Sequence, residues 1–203
     1  MGKLYNTFEF VGNLAIPKNK DKFHSIKQSD SGWDLHRLNF GIQESKLNTA
    51  FLELFGGVSK NKPMKVFGFS KGLFGEKGSN IEIKWEDRGK EEIKDMVADF
   101  AKIIVDLETD QEKKKEYMKL YYKIRSLENK KDASDEDKEK LKQYKAEFKE
   151  LATNRYEFLH EYDAIQFLEE MLEVNKDKKF RVTGNIQWNE WKGKYYKKFI
   201  PKL

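Results

Sequence analysis

The sequence predicts a mainly β fold with added α-helices, in which a small five-stranded barrel is interrupted by a helical insertion. Two segments at opposite ends of the chain predict the barrel, because both alternate apolar with other residues around a Gly-Asn pair; they are residues 8–16 and 180–188. A glycine inside a strand is typical of a bulge or of a bend at a barrel corner. Apolar residues spaced by three and four between residues 91 and 174 predict the helical insertion.

Strand signals dominate the first 85 residues, where short apolar runs alternate with polar or glycine-rich loops. The first run ends at Pro17, because proline cannot donate to a strand ladder, and a long polar loop follows. The polar stretch 43–48 turns the second strand back into the third, which predicts a β-hairpin. The predicted strands are residues 5–17, 32–42, 51–55, 65–69 and 81–85.

The apolar spacing becomes helical at Lys90. An amphipathic helix is expected over residues 91–108, with acidic residues in its first turn, where the helix dipole favours them. Two charged helices with narrow apolar stripes follow and should form an antiparallel hairpin, coiled-coil-like in its packing. Ser134 and Asp137 have the spacing of a capping box at the start of the second of these helices. A last helix is expected over residues 162–174.

The chain returns to strand over residues 180–188 and 195–200, and Pro201 ends the last strand. The order is therefore several strands, a helical block and two strands. An antiparallel five-stranded barrel with a helix between its third and fourth strands is the oligonucleotide/oligosaccharide-binding (OB) architecture, which this order most readily allows. The predicted domains are a discontinuous OB-fold barrel, residues 1–90 with 175–203, and a helical insertion, residues 91–174.

Charge is distributed unevenly along the chain, although the net charge is only +5. Residues 91–174 hold 16 Lys+Arg against 23 Asp+Glu, whereas the remaining residues hold 24 against 12. This asymmetry is expected of a polyanion-binding module that is interrupted by a segment without contact to the polyanion. Two ordinary solvated surfaces are the alternative.

The sequence gives no support to several classes of function. The chain has no cysteine, so disulfides, thiolate nucleophiles and cysteine-based zinc sites are excluded. His24, His36 and His160 lie on different predicted elements without metal-ligand spacing, and no nucleotide-binding or hydrolase motif is present. We therefore expect no catalytic residue, no metal and no cofactor. Because the sequence shows neither a long apolar run nor a secretory signal, we expect a cytoplasmic protein without membrane contact.

Aromatic residues interleaved with lysine and arginine predict where a nucleic acid would bind, because single strands are held by stacking bases on aromatic rings in a basic groove. The C-terminal hairpin has this pattern in Trp188, Trp191, Lys192, Lys194, Tyr195 and Lys197. Further candidates are Trp33 with Arg37, Trp85, and Lys71, Phe74 and Lys77 of a flexible glycine-rich loop. In the last strand we expect Tyr196 and Ile200 to face the core. Tyr195 and Lys197 would then face the ligand. For the rings of this hairpin and for Trp33, packing in the core of a small barrel is the alternative.

Both ends of the chain resemble the single-stranded DNA-binding proteins of bacteria and phages. Phe8-Glu-Phe-Val-Gly-Asn-Leu14 is similar to the first-strand motif of that family. Phe180-Arg-Val-Thr-Gly-Asn-Ile186, with the aromatic residues that follow it, is similar to the fourth and fifth strands, and His36-Arg37-Leu38 lies where the family has its second strand. The long helical insertion departs from the family pattern. So does the lack of the family's acidic tail, which we expect either to have been removed or to be replaced by another way of recruiting partners.

The resemblance implies a protein without enzymatic activity that binds and protects single-stranded DNA with little sequence preference. The expected setting is DNA replication, recombination or repair, and a divergent phage protein in the host cytoplasm would accommodate both departures. Whether RNA is also bound stays open. The insertion is expected either to join a second copy or a replication partner or to pack on its own barrel; the aromatic residues on its stripes are Tyr117, Tyr121, Tyr144 and Phe148.

Two other classes of function compete with this one. A structural or adaptor protein would use an OB-like barrel to hold a protein partner with an acidic surface. A magnesium-dependent nuclease would gather Asp and Glu side chains around the metal, but these residues concentrate in the helical block, where a solvated helix face explains them.

Overall fold

The computed structural model describes residues 6–202, apart from the side chains of Trp191, Tyr195 and Lys202. These residues form two compact units. The barrel unit comprises residues 6–64 and 160–202, and the inserted unit comprises residues 65–159. The observed boundaries therefore differ from those predicted at residues 90/91 and 174/175.

Ten strands and five α-helices lie in this part of the chain, which makes the protein a mixed α and β structure. The strands are β1 (Thr7–Ala15), β2 (His24–Gln28), β3 (Trp33–Ser45), β4 (Asn48–Ser59), β5 (Lys65–Phe69), β6 (Asn80–Lys84), β7 (Ile103–Asp106), β8 (Arg155–Phe158), β9 (Lys179–Trp191) and β10 (Lys194–Lys202). The helices are α1 (Lys20–Phe23), α2 (Glu91–Met96), α3 (Gln111–Glu128), α4 (Asp135–Leu151) and α5 (Glu161–Val174). None of these helices has both the length and the apolar character that crossing a membrane requires.

Five strands of the barrel unit close into a mixed barrel in the order β1-β9-β10-β4-β3, and β3 returns to β1. Neighbouring strands are antiparallel except β10 and β4, which are parallel where Phe199 meets Leu52. A closed ring with an odd number of strands cannot alternate direction throughout, so the prediction of a fully antiparallel barrel was wrong for this pair. The stretch predicted as a long loop contains α1 and β2, and β2 pairs with the first part of β3 outside the ring.

Gly12 and Gly184 allow the close approaches that shape the barrel. A Cβ at Gly12 would lie 2.4 Å from the carbonyl oxygen of Gln43, where β1 passes from β9 to β3. A Cβ at Gly184 would lie 2.1 Å from the carbonyl oxygen of Ile200 and 2.6 Å from the Phe8 ring. The two matching Gly-Asn segments of the sequence therefore mark positions where only glycine fits.

Alternate residues of the barrel strands fill the interior. The buried apolar residues of these strands include Leu38, Phe40, Ile42, Leu52, Leu54 and Val182. The helix predicted over residues 162–174 is confirmed as α5, but it belongs to the barrel unit and packs on β4. Gly56 allows this contact, because a Cβ there would lie 2.7 Å from the backbone nitrogen of Tyr162.

The inserted unit combines the helical hairpin of α3 and α4 with two small two-stranded sheets, β5 with β6 and β7 with β8. The α3–α4 hairpin was predicted, and Ser134 and Asp137 form the expected capping box at the start of α4. The helix predicted over residues 91–108 was wrong beyond Met96, because Ile103–Asp106 is strand β7. Its β-branched residues favour a strand once β8 supplies a partner.

Aromatic residues of the α3–α4 hairpin have partners inside the inserted unit. The fully buried Tyr117 donates its hydroxyl hydrogen bond to Asp106 at 2.7 Å, and its ring meets the Phe148 ring edge-on. Tyr121 donates to Asp99 at 2.7 Å. Burial, followed by this hydrogen bond, raises the pKa of Tyr121 to about 12. Tyr117, Tyr121 and Phe148 therefore pack within the inserted unit, and the expected contact of this unit with a second copy or a replication partner stays a prediction.

Candidate nucleic-acid interface

The outer surface of β3 and β4 carries exposed aromatic rings beside cations. Strand alternation directs Leu52 and Leu54 into the barrel, which directs Phe51 and Phe55 outward. Phe51 is 76% exposed. We call this surface the outer face; it consists of Trp33, Arg37, Phe51, Glu53 and Phe55 of β3 and β4 together with Lys198 of the adjoining β10.

A carboxylate joins two cations at the centre of the outer face. Glu53 Oε1 lies 2.7 Å from Arg37 Nε, and Glu53 Oε2 lies 2.6 Å from Lys198 Nζ. Lys198 Nζ also lies 4.6 Å from the centroid of the Phe55 ring, within the range of a cation–π contact. Three neighbouring strands thus contribute a group with a net charge of +1 next to an exposed ring.

Trp33 lies at one end of the outer face, packed over Gly57. A Cβ at Gly57 would be 2.3 Å from atoms of the indole ring, so a larger residue there would displace the ring. Trp33 nevertheless stays exposed at its remaining surface. Trp33 and Arg37, predicted together from the sequence, therefore both lie on this face.

The β9–β10 hairpin extends from the barrel, because residues 187–198 pair in register only with one another within the described part of the chain. Lys192 and Gly193 have φ angles of 49° and 72°, which is typical of a type I′ hairpin turn. The exposed Trp188 stands directly opposite Lys197. This hairpin therefore places an aromatic ring beside a cation.

The alternation of β10 is opposite to the predicted one. Phe199 packs against Phe8 and Phe10, with ring centroids 5.2 and 4.9 Å apart, and so faces the interior. Tyr196 is half exposed, and the expectation that Tyr196 and Ile200 face the core was wrong. The two rings of β1 thus give Phe199 aromatic partners on the interior face of β10.

The other candidates of the C-terminal hairpin lie on its surface or outside the described side chains. Lys192, Lys194 and Lys197 are exposed. The side chains of Trp191 and Tyr195 lie outside the described part of the structure, and only their backbones are placed, in β9 and β10. The exposed lysines add positive charge around the turn.

Lys71 and Phe74, predicted in a flexible loop, are attached to the end of α3 in the inserted unit. Lys71 Nζ lies 3.2 Å from Oε1 of the fully buried Glu128. Burial lowers the pKa of Lys71, although the charge of Glu128 opposes this effect. The Phe74 N–H donates to the Glu128 carbonyl oxygen at 2.8 Å, while Lys77 is exposed. Lys71 therefore serves the packing of the inserted unit.

Trp85 also has structural contacts within the inserted unit. Its half-buried ring packs against the core formed by Val66, Ile83, Val97 and Leu159. The Arg88 guanidinium lies 3.7 Å from the centroid of the indole ring. Trp85 therefore packs within the inserted unit.

The barrel unit brings together two histidines that lie apart in the sequence. His24 Nε2 lies 3.4 Å from His36 Nδ1, and His24 Nδ1 lies 2.8 Å from Glu169 Oε2. Burial is the main cause of the lowered pKa of His36, and the charge of His24 adds to it. Within residues 6–202, no three His, Cys, Asp or Glu side chains are arranged to hold a metal ion.

Phe51, Glu53, Phe55 and Lys198 were not among the predicted binding residues. The segment Phe51-Leu-Glu-Leu-Phe55 contained the signal, since two leucines on one face leave two phenylalanines and a glutamate on the other. Lys198 was missed because the faces of β10 were exchanged in the prediction. The contact between Glu53 and Lys198 could not be predicted, because β10 is distant from β4 in the sequence, whereas Arg37 lies on β3, the neighbouring strand of the predicted hairpin.

Comparisons of the chain with protein-family models, with curated proteins and with solved structures found no match. The function is therefore argued from the residues and geometry of this chain. The outer face and the β9–β10 hairpin both lie in the barrel unit, and each of them combines exposed rings with cations.

Proposed function

We propose that the protein binds single-stranded DNA without enzymatic activity and with little sequence preference, through the outer face and the β9–β10 hairpin. The observation that carries this proposal is the outer face, where exposed aromatic rings lie beside Arg37 and Lys198. Stacking on an aromatic ring contributes about 1 to 3 kcal/mol per base and tolerates every base, because each has a π face. Cations beside the rings neutralise the phosphates.

The order of the barrel strands supports an OB-fold. In chain order they are β1, β3, β4, β9 and β10, and residues 60–178 lie between the third and the fourth. OB barrels bind oligonucleotides on the face of their second and third strands and with the loops that follow the first and fourth strands. In this chain the second and third barrel strands carry the outer face, and the turn after the fourth belongs to the β9–β10 hairpin.

The wider role that we propose is protection of single strands during DNA replication, recombination or repair, in a phage-infected cell. The resemblance of the two chain ends to phage and bacterial single-stranded DNA-binding proteins supports this role. The inserted unit would then contact a replication partner or a second copy of the chain.

Titration with oligo-dT tests the proposal, because stacked bases quench the fluorescence of exposed tryptophans such as Trp33 and Trp188. Phe51→Ala should weaken binding by about 5- to 150-fold, since it removes a stacking platform worth about 1 to 3 kcal/mol. Phe67→Ala is the matched control, because Phe67 is 77% exposed on strand β5 and Phe51 is 76% exposed on strand β4. It should leave the affinity unchanged.

Equal weakening by both substitutions would contradict the assignment of binding to the outer face. Absence of quenching and of a mobility shift at low salt would contradict DNA binding as such and favour an adaptor role. Degradation of labelled DNA on addition of magnesium would favour a nuclease. The same titration with oligo-U measures whether RNA is bound.

A further inference from the structure

Glu53 has an unusual position for a surface that binds nucleic acid. It lies on the middle one of three neighbouring strands, between Phe51 and Phe55 on the same face of β4. A carboxylate at that place repels the phosphates of a bound strand. Partly exposed ion pairs contribute only about 0 to 1 kcal/mol to folding, so stability alone is a weak reason for this charge.

The contacts of Glu53 suggest a different reason. Each carboxylate oxygen faces a different cation, Arg37 Nε at 2.7 Å and Lys198 Nζ at 2.6 Å. The side chain of Glu53 is 19% exposed, whereas those of Arg37 and Lys198 are 41% and 25% exposed. The side chain of Glu53 is therefore the most buried of the three, and the side chains of both cations are partly exposed while they are paired.

We infer that Glu53 is an internal counter-anion, which competes with DNA phosphates for Arg37 and Lys198 and thereby limits the affinity of the outer face. The inference rests on the function proposed above. Carboxylate and phosphate oxygens accept hydrogen bonds from the same N–H donors, so a phosphate must displace Glu53 or share the cations with it. Glu53 takes the cations back when the strand leaves, which favours release.

Removal of the Glu53 charge should therefore raise affinity. For single strands, each phosphate that is neutralised makes the slope of log K against log salt steeper by about 0.7. Relative to 1 M salt, this adds about fivefold to the affinity at 0.1 M salt. Glu53→Gln frees one or both cations. We expect oligo-dT to bind about 5- to 25-fold more tightly at 0.1 M salt, with a slope steeper by about 0.7 to 1.4.

Glu9→Gln is the matched control. Glu9 is also a strand glutamate of the barrel unit that is paired with an arginine, since Glu9 Oε2 lies 2.8 Å from Arg181 Nη2. The substitution changes the net charge by the same amount but lies on β1, outside the outer face. We expect it to leave both the affinity and the salt slope unchanged.

The titration of the wild-type chain tests the proposed function, and the ratio of the Glu53→Gln affinity to the wild-type affinity tests the inference. A wild-type chain that does not bind oligo-dT removes the proposed function, and the inference with it. If wild type binds, an affinity of Glu53→Gln equal to or below that of wild type overturns the inference alone. A lower affinity would show that Glu53 positions the two cations for the strand.

A combined variant tests whether the effect passes through the two cations. In a chain that already carries Arg37→Gln and Lys198→Gln, adding Glu53→Gln should not raise the affinity for oligo-dT. A rise in affinity in that background would overturn the inference. Circular dichroism and urea unfolding check that each variant is folded. Glu53→Asp keeps the charge but shortens the side chain, and it should give a smaller rise than Glu53→Gln.

Discussion

Two glycines decide where large rings lie in the barrel unit. Gly57 makes room for the indole of Trp33 on the outer face, and Gly184 makes room for the ring of Phe8 in the interior. In both places a Cβ would come closer than 3 Å to the ring. The exposed Trp33 and the buried Phe8 thus each depend on a glycine in a neighbouring strand.

Gly184→Ala should lower the free energy of unfolding by about 1 to 3 kcal/mol, since overpacking forces the backbone and neighbouring rings to move. The new methyl group would meet the Ile200 carbonyl oxygen at 2.1 Å. Gly89→Ala is the control, because nothing lies within 4 Å of a Cβ there. Urea unfolding of both variants measures the difference; equal stability of the two would contradict the close packing of β9 on β10.

His36 should make the barrel unit less stable as the pH falls. Burial and the neighbouring His24 lower its pKa from 6.5, while Asp34 and Glu169 act in the opposite direction. The unfolded chain then binds more protons than the folded one below about pH 6.5, so stability falls with pH until the lowered folded pKa is reached. Urea unfolding at pH 7.5 and at pH 5 measures this loss. His36→Gln should show a smaller loss, and an equal loss would assign the effect to other groups.

At the scale of elements, the sequence predicted most strands and helices, but it did not give every strand its partner. The strands around Gly12 and Gly184 and the helices α3, α4 and α5 lie close to where the patterns placed them. The prediction failed for β7, where the strand partner β8 lies about 50 residues away in the chain. It also assigned the wrong face of β10 to the interior. Phe199 and Ile200 are both apolar, and only the contact with the β1 rings shows that Phe199 faces inward.

Ser134→Ala should destabilise the inserted unit by about 1 kcal/mol, since the serine side chain caps the start of α4. Its hydroxyl accepts from the Asp137 N–H, and the Asp137 carboxylate accepts from the Ser134 N–H. Ser126→Ala, at an exposed position inside α3, is the control and should be neutral. Thermal unfolding of the two variants measures this difference, and an equal effect would contradict the capping role.

At the scale of the whole molecule, positive charge belongs to the barrel unit. Residues 65–159 hold 22 Lys+Arg and 22 Asp+Glu, so the net charge of +5 comes from the remaining residues, with 18 against 13. The difference in net charge between the two units is smaller than the one expected from the sequence-based boundaries. The inserted unit includes the basic residues 65–90, and the barrel unit includes the acidic helix α5. The barrel unit nevertheless has the positive net charge that a polyanion-binding surface needs.

The sequence predicted the barrel and part of its candidate interface. Matching strands at the two chain ends indicated closure, and the aromatic and basic pattern indicated Trp33, Arg37 and Trp188. The contact between Glu53 and Lys198 could not be predicted, because it arises from the parallel pairing of β10 with β4, two strands more than 130 residues apart. Side-chain pairing across a closed barrel is a property of the topology, which local patterns do not contain.

Fluorescence titration with oligo-dT over a range of salt concentrations tests the central claim, that the barrel unit binds single strands through stacking and phosphate contacts. We expect strong quenching at low salt, and log K should fall linearly with log salt with a slope of about −2 to −4, as for three to six phosphate contacts. Duplex DNA of the same length should compete poorly. No quenching at low salt, or equal competition by the duplex, would contradict the claim.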